Sequence, residues 1–239
     1  MSPNPDHDPP PPLPAPDDAP HPDRGAGVNL TAEFRVSGLV RYLSHAELMR
    51  VFLRAAVRSG LPLDFSHGYN PRPRLSLPLP KPVGIESEGD LCCLHLKTAP
   101  DSEEDGARRF SQEWPQGIEP MSAWIARRRA GYRAVAADYR FSLKEGLRTD
   151  ELRDKALALL AGESLVVDRR HGEERAAPRR VDVRPFLGSV DVAGQDVAVH
   201  ARIFPTGSIR VGEILDLLGL TRADLAAPIR RTAIQWQPT

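Results

Sequence analysis

Phe34-Arg35-Val36-Ser37-Gly38-Leu39-Val40-Arg41-Tyr42-Leu43, running into Ser44-His45-Ala46-Glu47-Leu48-Met49-Arg50, decides how the chain is read. The first ten residues mix apolar and polar character as a strand does, with a break at Gly38. Ser44 stands three residues before Glu47, the spacing of a capping box, in which each side chain satisfies an orphan backbone N–H at the helix start. Leu48, Phe52 and Ala55, with Val51 and Ala56 beside them, form a wide apolar face, and Gly60 supplies a left-handed stop. A strand followed by a helix over about residues 44–59 is therefore predicted.

Working outward, the pattern continues in the same style. Asp90–Leu96 reads as a strand, residues 101–114 as a helix weakened by Gly106, and Ile118–Ala126 as another strand. A basic hinge follows, with Arg127, Arg128, Arg129 and Arg133. The pattern then restarts. Tyr139–Lys144 is a strand, Thr149–Leu160 a helix, and Leu165–Val167 a short strand. Val181–Val192 and Val197–Phe204 form a hairpin about Ala193-Gly194-Gln195, Val211–Leu218 is a helix stopped by Gly219, and Ile229–Trp236 closes as a strand. The charged run Asp168–Arg184 reads as a solvated hairpin tip or loop. The predicted fold is α+β: two tandem ferredoxin-like modules, residues 32–130 and 131–239.

The overall charge hides an asymmetry. The 239 residues carry 32 basic and 32 acidic side chains. Residues 1–30 hold ten of the 24 prolines, and five aspartates against the one arginine, Arg24. Acidic Pro-rich sequence with so little apolar content does not bury enough surface to offset chain entropy, so residues 1–31 are expected to be a disordered tail. No apolar run reaches the ~18 residues of a membrane span, and no apolar segment of a signal peptide is present; a cytoplasmic protein is expected. Cys92 and Cys93 are adjacent, which offers neither a disulfide framework nor a C-x-x-C metal pair. The expectation for their strand is one core thiol and one partly exposed thiol. The histidines are scattered without H-x-x-x-H spacing, and no phosphate-cradling glycine motif occurs, so neither a metal nor a cofactor is expected.

What remains is a basic segment. From Arg35 to Lys81 the chain has eight basic residues and two acidic ones, Glu47 and Asp64. Arg50, Arg54 and Arg58 recur at every fourth position, on one face of the predicted helix. The loop beyond it reads Phe65-Ser66-His67-Gly68-Tyr69-Asn70-Pro71-Arg72-Pro73-Arg74, too rich in proline for a helix and too polar for a core. Guanidinium forks pair with phosphates, and a tyrosine or histidine ring stacks on a base. The proline-stiffened loop presents these groups with less ordering entropy on binding. A plain connector between helix and strand explains the loop equally well.

Residues 34–98, with Arg41-Tyr42-Leu43-Ser44-His45 and Gly68-Tyr69-Asn70-Pro71-Arg72-Pro73-Arg74, resemble the radical-SAM-linked protein family, a bacterial domain of unknown function encoded beside or fused to a radical-SAM protein. Val181–Leu187 and Ile229-Arg230-Arg231-Thr232 fit its second half. The resemblance implies a radical-SAM partner. The cluster of that chemistry needs three cysteines, and this chain has two side by side, so the chemistry would belong to the partner. Three readings stay open. One is a non-catalytic module that presents a substrate, RNA or another polyanion, to the partner through Arg41, His45, Arg50, Arg54, Arg58, His67, Tyr69, Asn70, Arg72 and Arg74. Another is a protein-only assembly factor. The third is a metal-independent RNA endonuclease in which His45 is the general acid or base and Tyr42 or Arg41 steadies the phosphorane.

Overall fold

A computed structural model describes residues 27–67, 69–127, 131–169 and 178–239. Most of the Pro-rich tail, the hinge arginines Arg128 and Arg129, and the middle of the charged run lie outside the described residues. The first half comprises β1 (Val28–Val36), a 3-10 turn (Gly38–Tyr42), α1 (His45–Arg58), β2 (Leu75–Ser76), β3 (Glu86–Leu96), α2 (Glu103–Ser111) and β4 (Ile118–Arg127). The second comprises β5 (Tyr132–Ser142), α3 (Thr149–Ala161), β6 (Val166–Arg169), β7 (Arg179–Asp182), β8 (Leu187–Ala193), β9 (Asp196–Phe204), β10 (Gly207–Ser208), α4 (Val211–Leu218) and β11 (Arg230–Pro238). No helix among the described residues is long and apolar enough to cross a membrane.

The predicted first strand starts too late and runs too far. β1 begins at Val28, with Val28 and Leu30 fully buried, ahead of the first-module start expected near Ala32. Val28–Val36 alternates apolar and polar residues along its whole length, yet Asn29 and Thr31 are buried as well, so the polar face of β1 is also covered over its first half. The strand ends at Val36 because Gly38 takes a left-handed φ of 62° and turns the chain into the 3-10 turn. The capping box forms as read: Glu47 N–H donates to Ser44 Oγ at 3.3 Å and Ser44 N–H to the Glu47 carboxylate at 2.8 Å.

Nine strands form one mixed sheet, in the order β10-β9-β5-β11-β3-β1-β4, with β2 also on β3 and β8 also on β9. Within the first half, β3, β1, β4 and β2 pair antiparallel. Within the second, β11, β5, β9 and β8 also pair antiparallel. The halves join where β11 runs parallel to β3, with Arg230 opposite Glu86 and Arg231 opposite Ser87. One core holds Phe34, Phe52, Phe110 and Trp114 in edge and tilted ring contacts, under α1 and α2. The other packs Phe141, Val197 and Val199 against Leu152, Ile214 and Leu215 of α3 and α4. A smaller cluster of Leu91, Trp124, Ala126, Ala134 and Trp236 links the halves.

That cluster corrects the thiol expectation. Cys92 and Cys93 are both buried, because the strand face carrying Cys93 is covered too. Burial pushes both thiols up, Cys92 the further, and Thr31 and Ser76 hydrogen bonds offset part of the effect at Cys93. The strand expected over Val181–Val192 is two strands parted by a 3-10 turn, Arg184–Phe186. Pro185 has no N–H to give a ladder there. Arg184 instead donates to the carbonyls of Leu160 and Gly162 at the end of α3. β6 and β7 form a separate two-stranded ribbon that includes the described residues Asp168, Arg169 and Arg179–Asp182 of the charged run.

Candidate functional site: a proline-rich loop and a buried seam

The proline-rich loop is a ribbon rather than a free coil. Its base is tied to the end of β3 by Asp64 N–H to His95 O (2.9 Å) and His95 N–H to Arg74 O (3.0 Å). Arg74 N–H donates to Asp64 O and Ser66 N–H to Arg72 O, both at 2.8 Å, while Arg72 N–H donates to Ser66 Oγ at 3.1 Å. Phe65 and Pro73 bridge across it. The tip therefore stands on a closed backbone ladder, with His67, Asn70 and Arg72 exposed and Tyr69 wholly so, at 100%. Arg74 is half-buried and faces Asp64 at 3.9 Å, a longer contact than a direct hydrogen bond.

The ten site residues predicted from sequence do not form one cluster. Arg50 and Arg54 are exposed on α1 and make no ion pair among the described residues, although Arg50 lies near enough to Glu47 to help lower its pKa, behind the Ser44 hydrogen bonds. Arg58 departs from the expected anion face. Its Nε meets the Glu113 carboxylate at 2.7 Å and its Nη2 donates to the Glu113 carbonyl at 2.8 Å. The chain beyond α2 brings Glu113 against the last turn of α1, and that carboxylate already occupies the fork. Arg54 lines the same shallow groove with Val51, Gln112 and Trp114.

Arg41 and His45 sit at the other end of the sheet. Gly84 N–H donates to Arg41 O at 2.8 Å, beside the start of β3, whereas the loop is tied to its end. Seven residues of β3 lie between Ser87 and His95, roughly 25 Å of strand. Arg41 donates to Gly38 O (2.7 Å) and to Tyr42 Oη (3.0 Å), with its guanidinium carbon 4.5 Å from the centre of the Tyr42 ring. His45 is the first residue of α1 and half-buried, with Nδ1 enclosed and without a hydrogen-bond partner.

Sequence reading missed what lies beneath Arg41. Lys81 is buried, and its Nζ donates to Arg41 O at 2.7 Å and Pro82 O at 3.1 Å. Burial lowers its pKa to about 8, with Asp90 pulling it up and Arg231 pushing it down. Asp90 and Arg231 form a short ion pair, both buried, beside Tyr139, whose hydroxyl burial holds above the usual phenol range. Ser87 Oγ, Asp90 Oδ2 and Arg231 Nε are enclosed there without a protein partner. The available signal was charge out of place: Lys81 inside a run of prolines and apolar residues, and Arg231 within an apolar closing strand. Residues of that kind are seldom buried unless paired.

The family described as an uncharacterized protein conserved in bacteria (DUF2344) matches residues 29–213, most of the described chain. That description names neither an activity nor a partner. No curated protein matches the chain.

Proposed function

The chain belongs to that family of uncharacterized bacterial proteins, and we propose that it is a non-catalytic binding module holding a polyanionic substrate, RNA foremost, for a radical-SAM partner protein. The observation that carries this reading is Tyr69, fully exposed beyond a ribbon base closed by backbone hydrogen bonds, with Asn70 and Arg72 exposed beside it. A fully exposed aromatic face is open to a base, and the hydrogen-bonded base of the ribbon limits the backbone entropy lost when one stacks on it. Arg50 and Arg54, with no ion pair among the described residues, supply phosphate-seeking charge along α1. The partner is inferred from the resemblance of the Arg41–His45 and Tyr69–Arg74 stretches. Two buried neighbouring thiols give this chain no ligand set for the cluster of such chemistry. The strand orders β4-β1-β3-β2 and β11-β5-β9-β8 support reading each half as a ferredoxin-like unit, with the β6–β7 ribbon as an insertion in the second.

The test is binding of fluorescent single-stranded RNA to wild type, to Tyr69→Ala and to Arg72→Ala/Arg74→Ala, with capture of partners from the native host. Loss of one stacked base costs ~1–3 kcal/mol, so Tyr69→Ala is expected to bind roughly 5- to 100-fold more weakly. His45→Ala is expected to bind like the wild type; loss of RNA cleavage in that variant would instead favour the endonuclease. If loop variants bind every polyanion normally yet lose a radical-SAM partner, the loop is a protein-docking surface and the assembly-factor reading replaces this one.

A further inference from the structure

We propose that the seam between the two halves is a separate anion site, in which Arg41, Tyr42 and Arg222 converge over Gly84 to take the phosphoryl group of a nucleotide or nucleic-acid strand. Arg41 and Tyr42 come from the 3-10 turn of the first half, whereas Arg222 belongs to a 3-10 turn, Arg222–Asp224, just before β11 in the second. Their meeting point is the turn at Gly84, whose φ is +83°. A Cβ there would stand 2.9 Å from Arg222 Nη1 and 3.7 Å from Tyr42 Cε1, so both side chains pack over this one backbone position. Arg222 Nη2 reaches Val83 O at 3.5 Å, while Arg41 is held by Gly38 O and Tyr42 Oη. Neither guanidinium has a carboxylate partner among the described residues.

The charge around this turn is unbalanced. Lys81 hangs directly below, bonded to Arg41 O, and Arg231 lies behind it. Against these four cations stands one buried carboxylate, Asp90, already taken by Arg231. The nearby carboxylates are committed elsewhere. Glu86 accepts from Gly38 N–H at 3.4 Å and faces Arg230 at 3.8 Å. Asp224 accepts from the N–H and hydroxyl of Thr221, each at 2.7 Å. Like charges in a partly enclosed seam repel more strongly than on an open surface, because the local dielectric is lower. A dianion relieves that repulsion, and planar guanidinium forks match the spacing of phosphoryl oxygens. Tyr42, 54% exposed, gives an adjoining ring for a base. Because the groups come from both halves, a bound phosphoryl group would also staple the halves together.

The test is thermal unfolding and calorimetric binding of the full chain with three probes: pyrophosphate, adenosine monophosphate and a short oligouridylate. The three separate free phosphate, mononucleotide and strand as sources. At about 100 times its dissociation constant, a ligand confined to the native state is expected to raise Tm by roughly 5–10 °C. Arg222→Gln is at an exposed position and keeps the fold; it is expected to weaken the effective probe at least tenfold, and Arg41→Gln likewise. With pyrophosphate or adenosine monophosphate, Arg72→Ala/Arg74→Ala is expected to retain the full shift. The seam site is overturned if no probe raises the wild-type Tm, or if Arg222→Gln and Arg41→Gln respond as the wild type does. Loss of RNA binding in the loop variants with an intact Arg222-dependent shift would uphold both sites. An Arg222-dependent shift in a protein whose loop binds no RNA would uphold the seam and remove the presenting loop.

Discussion

Arg231 and Asp90, 141 residues apart in the chain, form an ion pair closed off from solvent beside the parallel join of β11 to β3. Two charges were withdrawn from water to make it, and their attraction offsets that desolvation only while both are present. Removing one partner strands the other. Asp90→Ala and Arg231→Met are each expected to lower unfolding free energy by about 3–5 kcal/mol, and the double variant by much less than their sum. Urea unfolding of the four proteins checks this; additive losses would mean that the pair contributes nothing as a pair.

Lys81 makes the same seam sensitive to pH. Its native pKa, about 8, lies below the ordinary 10.5 that the unfolded chain restores. Below pH 8 both states hold the proton and the contribution is constant. Between about 8 and 10.5 the unfolded chain binds more protons than the native one, so the stability contributed by Lys81 rises with pH. Wild type minus Lys81→Met unfolding free energy is therefore expected to grow across that window and to be flat from pH 6 to 7.5. Denaturant midpoints at matched pH read it, and a flat difference throughout would contradict the shift.

Gly117 packs against the turn that carries Arg41. Its φ is +93°, and a Cβ there would lie 2.2 Å from Val40 Cγ2 and 2.8 Å from Ser37 O. Ser37 N–H donates to Gly117 O at 2.8 Å, so neither strand end can withdraw without losing that bond. Gly117→Ala is expected to destabilise by several kcal/mol, combining left-handed strain with overpacking. Gly38→Ala, also at positive φ but with no atom within 4 Å, should cost only about 1 kcal/mol. The ratio of the two losses in thermal unfolding separates close contact from backbone strain.

What the sequence disclosed depended on whether a local rule was at work. The start of α1 was legible because Ser44 and Glu47 bond to each other's backbone three residues apart. The end of α4 was legible because Gly219 takes φ 72°. β1 has a plain period of two over Val28–Val36, and its placement at Phe34–Leu43 fails because that reading runs on through Gly38, whose left-handed φ ends the strand. The parallel join of β11 to β3 has no local signature, since residues 86–87 and 230–231 meet only in three dimensions. The site divides in the same way. Polar loop tips announce themselves, and Tyr69 and Arg72 are exposed as read. The fate of Arg58 could not be read from the period of its helix, because Glu113 arrives from beyond α2. Lys81, Asp90 and Arg231 each look like an ordinary charge until the fold brings them together.

Arg54 and Arg58 lie one turn apart on α1 and would be interchangeable if the stripe acted as a uniform basic face. They differ in one partner: Arg58 bonds both the carboxylate and the carbonyl of Glu113, while Arg54 in the same groove has no ion pair among the described residues. A guanidinium already neutralised by a carboxylate releases no counterion when a phosphate approaches, whereas an unpaired one does. Arg54→Ala is thus expected to flatten the dependence of log binding constant on log salt by about 0.7 for a single-stranded RNA, and Arg58→Ala to leave that slope unchanged. For stability the order reverses. Arg58→Ala breaks an ion pair and a backbone hydrogen bond and should cost about 1 kcal/mol, while Arg54→Ala should fall within ~0.5 kcal/mol of wild type. Binding titrations at several salt concentrations, alongside urea midpoints, read both halves of the prediction. Equal slopes for the two variants would show that the Glu113 contact does not take Arg58 out of the anion-binding face.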